Sequence, residues 1–301
     1  MPLTKNSPLR SAVSTLAKSS SVFLLLFATM ILVHGTVLLV GLSLTQNKFS
    51  PEQLFIERLY PILLAIILLF WTKKTTHGIY KRITEAIKLN KQNLKSFIKY
   101  ILISFFILYS IFYLSILFGY ANFISYGFYN FEIYNIAKIY ILVGLLGNLF
   151  VAIGEEIVFR GFLFNYIKGI SRSEYFSLLF TSLVFSFHIY PDFLNNVIAF
   201  LGGLAMGYSY IKFKNLYIAI GIHFAYGFFN LSIASEFSGG QEFPYLMKFD
   251  YPMIADGFGA WVDLFIIVGM LAILVFLFFH NVPTKEKTQK LSDLKMEAME
   301  S

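Results

Sequence analysis

Residues 141–164 read ILVGLLGNLFVAIGEEIVFRGFLF, an apolar run that carries Glu155, Glu156 and Arg160 at its centre. Such a run suits a helix in lipid, where ionisable side chains are costly, turn toward a protein interior and mark a functional site. The rest of the chain agrees with a membrane setting. Hydrophobic residues make up 57% and charged residues 14% of 301 positions, and the mean hydropathy of +0.68 is too high for a soluble domain. The sequence therefore reads as all-α, a polytopic membrane protein with a single integral membrane domain over residues 1–301. The absence of cysteine excludes disulfides, thiolate catalysis and cysteine-held metal centres. The net charge of +7 calls for no nucleic acid, because most basic residues fall in short loops, where they set orientation.

Crossing roughly 30 Å of hydrocarbon takes about twenty residues. Eight apolar segments qualify, near residues 22–44, 54–72, 98–120, 137–166, 174–190, 193–212, 216–236 and 258–280. Lys5, Arg10 and Lys18 precede the first, and a basic link from Lys73 to Lys95 joins the second to the third. Lys168 and Arg172 follow the fourth, Lys212 and Lys214 the sixth, and Lys285, Lys287, Lys290 and Lys295 the eighth. The alternate loops carry Glu132, Asp192, Glu236, Glu242, Asp250 and Asp256 with few cations. The basic loops belong on the inside, so both termini are expected to be cytoplasmic and residues 281–301 to form a charged cytoplasmic tail. A composition rich in Phe, Ile, Tyr, Asn and Lys suits an AT-rich genome and hence a bacterial cytoplasmic membrane. In the basic link, Ile79, Ile83, Ile87 and Leu94 recur at helical spacing, which predicts an amphipathic helix on the cytoplasmic surface with membrane lipid as its partner. Residues 237–257, with Gly239, Gly240, Pro244 and Pro252, are expected to be an outside loop.

Small residues point to the same centre. Gly147, Gly154 and Gly161 repeat every seven residues, and Gly203 and Gly207 form a small-xxx-small pair, a pattern that lets helix backbones approach closely. At 100° per residue Glu156 and Arg160 share a face and can pair, whereas Glu155 points about 100° away from Glu156. One carboxylate is thereby neutralised and the other is left as a candidate general base. His188 and His223 lie on two further spans. At 1.5 Å per residue from the cytoplasmic ends, Glu155, His188 and His223 sit about 16, 21 and 12 Å deep, so packing can bring them together. His34, His280, Asn148, Asn195, Asn196, Asp192 and Asp263 read as helix-to-helix hydrogen bonding.

The order Glu155-Glu156-x-x-x-Arg160, then His188, then His223 on successive helices resembles the CAAX protease and bacteriocin-processing family of intramembrane endopeptidases, also called Abi. The likeness centres on residues 140–235, within a catalytic core of about 137–236. It implies that Glu155 activates a water for attack on a peptide carbonyl, that His188 helps hold that water, and that His223 stabilises the oxyanion. Glu156 and Arg160 match the supporting pair. Two departures stand out: Val184 replaces a phenylalanine four residues before His188, and Gly227 stands where the third motif has an asparagine. Asn230, seven residues after His223, is the candidate replacement. The implied substrate is a membrane-associated peptide or protein.

Two histidines and a glutamate also resemble a catalytic zinc site, with Glu155, His188 and His223 as ligands. A metal-free glutamate mechanism is preferred, because no His-Glu-x-x-His helix is present, and zinc is kept as the alternative cofactor. Gly227 in turn favours a second function, a catalytically silent bacteriocin-immunity or scaffold protein on the same fold. A transporter ranks third, since the repeat symmetry and broken helices of that class are not visible in the sequence.

Overall fold

A computed structural model describes residues 28, 29, 32, 36, 55–126, 140–189, 193–233, 247–250, 253–255 and 259–280. Both termini, the charged tail and nearly all of the first expected span lie outside these residues, although positions 28, 29, 32 and 36 within that span are helical.

The remaining expected spans each coincide with helix. In chain order these are α1 (Tyr60–Thr75), α2 (His77–Ala86) and α3 (Lys91–Leu117). A continuous helical rod follows, with a π-helical stretch (Tyr140–Gly147), α4 (Asn148–Glu156), a second π-helical stretch (Ile157–Phe164) and α5 (Asn165–Ser171). Then come α6 (Glu174–Ile189), α7 (Phe193–Phe213), α8 (Leu216–Ile233) and α9 (Trp261–Phe279). By length and composition, Phe55–Thr75 and Lys91–Leu117 can cross a membrane, and shorter apolar helices cover Glu174–Phe187, Leu216–Asn230 and Asp263–Phe279.

Polar and apolar residues are distributed inside out. Leu63, Ile66, Ile67 and Phe70 on α1, Leu102, Phe106 and Tyr113 on α3, and Val268, Leu271 and Val275 on α9 are exposed. Apart from the adjacent Ile66 and Ile67, neighbours in each set stand three, four or seven apart and draw apolar stripes along the outer faces. Ser104, Asn148, Asn165, Ser209 and the ionisable Glu155, Glu156, Arg160 and His223 are buried. Water would reverse this pattern and lipid imposes it, so the described helices form the interior of a membrane protein.

The rod sits between α1 and α8, while α7 packs against α6, α8 and α9. The glycines make these approaches possible. A Cβ on Gly154 would lie 2.3 Å from the Pro61 carbonyl carbon on α1. One on Gly203 would lie 3.0 Å from Ser182 Cα, and one on Gly207 2.4 Å from Leu178 Cδ1, both on α6. The obstacle at Gly154 is backbone, which cannot rotate away. Gly154→Ala is therefore expected to cost about 1–3 kcal/mol through overpacking, while Gly169→Ala, with nothing within 4 Å, should be neutral. Thermal unfolding of the two detergent-solubilised variants checks this, and equal midpoints would refute the close approach.

The two ends of the bundle separate by charge. Lys168 and Lys214 both pair with Glu174, the latter at 3.1 Å. Lys212 Nζ donates to the carbonyls of Leu277 (2.7 Å) and Phe278 (2.8 Å), capping α9, and Lys99 Nζ lies 3.2 Å from His280 Nε2. The basic loops after the fourth and sixth spans thus meet at one end. At the other end β1 (Asn122–Tyr126) pairs antiparallel with β2 (Met247–Asp250), and β3 (Met253–Ala255) pairs with β4 (Gly259–Ala260), so the expected outside loop contains short ribbons.

The amphipathic link differs from expectation in its partner. Ile83 of α2 is fully buried, and its side chain comes within 3.3 Å of where a Cβ on Gly161 would lie. Ile79 and Ile87 pack on the same core. The apolar stripe faces the protein, and only Leu94, already in α3, is exposed. Amphipathic spacing reports a buried face and not what buries it.

Candidate functional site

The two adjacent glutamates of α4 are treated differently. Glu156 is fully buried, and its Oε1 accepts from Arg160 Nη1 at 2.8 Å and lies 2.9 Å from His223 Nδ1. A carboxylate already accepting from an arginine has no proton to give, so His223 Nδ1 carries the hydrogen and donates it. Arg160 is also fixed, with Nη2 donating to the Gly203 carbonyl at 3.0 Å and the guanidinium 4.8 Å over the Phe185 ring. The expected pair is therefore a triad, Arg160–Glu156–His223, linking the rod to α8.

Glu155 points elsewhere. Its Oε1 lies 3.5 Å from the Tyr60 hydroxyl, and its Oε2 faces His223 Nε2 at 3.6 Å, slightly beyond a hydrogen bond. That oxygen is buried without a hydrogen-bond partner. Glu156 Oε2 is buried without a partner as well, but Glu155 is the one of the two that lines the cavity, where a bound group can complete it.

The rod is shaped for this site by its π-helical stretch, which starts directly after Glu156. Wide turns of this kind recur at functional sites and displace carbonyls from the usual ladder. Asn165 Nδ2 donates to the carbonyls of Arg160 (3.0 Å) and Gly161 (2.8 Å), with Tyr210 Oη 3.1 Å away. One buried amide thus gathers backbone groups beside the charged triad.

Glu155 and His223 border a cavity of about 130 Å³, which Asn148, Arg58, Gly227 and Asn230 also line. A single water needs roughly 10–15 Å³ on this measure, so the space accepts several waters or a stretch of peptide. Asn148 is buried, and Arg58 Nη1 donates to its Oδ1. A Cβ on Gly227 would lie 3.2 Å from that same Oδ1, so the amide of Asn148 occupies the space beside Gly227.

Of the residues expected from sequence, Glu155, Glu156, Arg160 and His223 come together, and Asn230 lines the cavity on the α8 side. His188 lies on α6, and its side chain is outside the described residues. Phe185 of the same helix lines the cavity and meets the His223 ring edge-on at 5.8 Å. Arg58, Tyr60 and Phe185 were not among the expected site residues, and Asn148 was assigned only to helix packing. An arginine inside the expected span 54–72 is the signal that points to Arg58.

Glu155 Oε2 and His223 Nε2 provide two of the three protein donors that a catalytic zinc takes. Among the described residues no three His, Cys, Asp or Glu side chains form a metal site. The side chain of His188, the third expected ligand, lies outside the described residues, and the steps considered below are written through the chain's own groups.

Residues 137–229 match the family model Rce1-like, described as type II CAAX prenyl endopeptidase Rce1-like. This is the CAAX protease family that the order of Glu155-Glu156, Arg160, His188 and His223 resembles. No curated protein and no solved structure matches the chain.

Proposed function

We propose that this protein is an intramembrane endopeptidase of the CAAX type, hydrolysing a peptide bond of a membrane-associated protein or peptide in a bacterial cytoplasmic membrane. The observation that carries the reading is the contrast between neighbouring carboxylates. Glu156 Oε1 is held by both Arg160 and His223, and although one oxygen of each carboxylate is buried without a hydrogen-bond partner, Glu155 is the one of the two that lines the cavity. A base that must take a proton from water needs that access.

In this reading a water in the cavity gives a proton to Glu155 as its oxygen bonds to the substrate carbonyl carbon, and the carbonyl electron pair moves onto oxygen. Glu155 then passes the proton to the leaving nitrogen as the carbon–nitrogen bond breaks. His223, its Nδ1–H committed to Glu156, keeps Nε2 toward the reacting atoms and in its protonated form donates to the oxyanion. His188 is assigned, from motif order, to hold the same water. Proteomic comparison of cells carrying the wild type or Glu155→Ala tests the reading. New carboxyl and amino termini should appear only with the wild type. Identical termini together with full cellular function of the variant would favour the silent immunity or scaffold role.

The proposal is metal-free. A strong chelator is expected to leave cleavage by the purified protein unchanged. Loss of cleavage that zinc restores would instead make Glu155, His188 and His223 ligands.

A further inference from the structure

The basic end of the bundle holds two groups of cations that differ in what neutralises them. Lys168 and Lys214 share Glu174. Lys99 of α3, Lys212 of α7 and His280, directly after α9, form the second group, and among the described residues no carboxylate pairs with any of them. From this contrast we propose that the second group binds the phosphate of an anionic phospholipid, whose acyl chains lie along the exposed apolar faces of α3 and α9. None of the three residues lines the cavity, so the inference does not depend on the peptidase reading.

The cluster has donors to give. An ammonium carries three donors and no acceptor. Lys99 Nζ lies 3.2 Å from His280 Nε2, so the lysine donates and the neutral imidazole accepts. Lys212 Nζ spends two donors on the Leu277 and Phe278 carbonyls. Two donors on Lys99 and one on Lys212 remain, and phosphate oxygens accept charge-assisted hydrogen bonds from such groups. Aromatic rings fix the arrangement. His280 stacks on Phe276 at 5.0 Å and meets Tyr100 at 6.2 Å and Phe213 at 6.3 Å, while Tyr100 and Phe213 lie 5.8 Å apart. Lysines that only reached for water would spread apart, since like charges repel. Here two of them, 113 positions apart in sequence, close on the same end of α9.

A free phosphate would be served by these donors alone, but the surface beside them suits a lipid. Leu102 and Phe106, three and seven residues after Lys99, share its face of α3 and are exposed. Val275 and Phe279, one turn apart on α9, are exposed as well. The two helices pack together, closely enough that a Cβ on Gly269 would lie 3.1 Å from Leu108 Cδ2. Both apolar lines begin beside the cations and run away from them along the bundle. Cations above and apolar surface below complement an anionic head on hydrocarbon chains, and basic pockets between membrane helices hold such heads.

Native mass spectrometry of the detergent-purified protein tests the site by comparing dioleoylphosphatidylglycerol with dioleoylphosphatidylcholine, which has the same chains but no net charge. The wild type is expected to bind phosphatidylglycerol at least about fivefold more tightly, the worth of one lysine against an anionic lipid. Lys99→Gln, at an exposed position, should remove most of that preference, and Lys99→Arg should keep it. Lys214→Gln makes the same change in net charge at the same end of the bundle, yet should leave the preference within about twofold, because Lys214 already pairs with Glu174. Glycerol 3-phosphate, the phosphate without the chains, should fail to displace the lipid. Equal binding of the two lipids by the wild type overturns the proposal, as do equal losses in Lys99→Gln and Lys214→Gln. Displacement by glycerol 3-phosphate at the lipid's own concentration overturns it too, by showing a site for soluble anions.

Discussion

Glu155→Gln is expected to lower the rate of peptide cleavage by about 10²- to 10⁴-fold, the contribution of a positioned general base, with the protein folded to the same extent. The amide keeps the size and shape of the carboxylate, and the hydrogen bonds that brace the rod belong to other residues. Glu156, Arg160, Asn165 and Gly203 hold one another, whereas among the described residues the side-chain polar contacts of Glu155 are with Tyr60, at 3.5 Å, and His223, at 3.6 Å. Replacing an acid that is already unpartnered at one oxygen removes little packing energy and one chemical capacity. The informative measurement is kcat against KM, because loss of a base lowers kcat and leaves binding of the ground state intact. A variant that loses affinity while retaining kcat would show Glu155 to be a binding residue. Glu156→Gln is the contrasting case. It weakens the anchor of His223 and of Arg160 together, so loss of activity should come with loss of stability.

This contrast was partly legible in the sequence. Glu156 and Arg160 stand four apart, and that spacing brings them onto one face although the turn between them is π-helical. Adjacent residues on a helix diverge, so the separate direction of Glu155 followed as well. The positions of the described helices followed from hydropathy, because long apolar runs favour helix and bury or shield their backbone groups. The choice of partners was not legible. His223 Nδ1 reaches Glu156 across 67 residues and Arg58 reaches Asn148 across 90. Local periodicity carries a face and a depth, but which two faces meet is decided by packing of the whole bundle. Asn148 is the clearest instance. Alone it is an ordinary amide on an apolar helix, and its place beside Gly227 exists only once α4 and α8 are packed. Read on its own, Gly227 suggested a lost function. In the folded chain it is the gap that admits the Asn148 amide.

The second large effect should be on folding. Arg160→Met is expected to destabilise the protein by about 3–5 kcal/mol, because it leaves the Glu156 carboxylate buried without its compensating guanidinium. Arg160 is 1% exposed and Glu156 fully buried, so neither can recover its interaction with water by a small shift. The guanidinium also closes the Gly203 carbonyl of α7 at 3.0 Å and rests over Phe185 of α6, so its removal opens contacts among three helices. The methionine keeps much of the volume, which confines the loss mainly to electrostatics and hydrogen bonding. The double variant Glu156→Gln with Arg160→Met removes both charges, and it should recover a substantial part of the stability, as buried pairs replaced together usually do. Activity should not recover with it, because the His223 anchor is then a neutral amide and the ring is no longer drawn toward Glu156 by a full charge. Unfolding of the single and double variants in detergent, followed alongside cleavage, separates the two consequences. An Arg160→Met protein that unfolds like the wild type would show that the pair between Arg160 and Glu156 does not brace the fold.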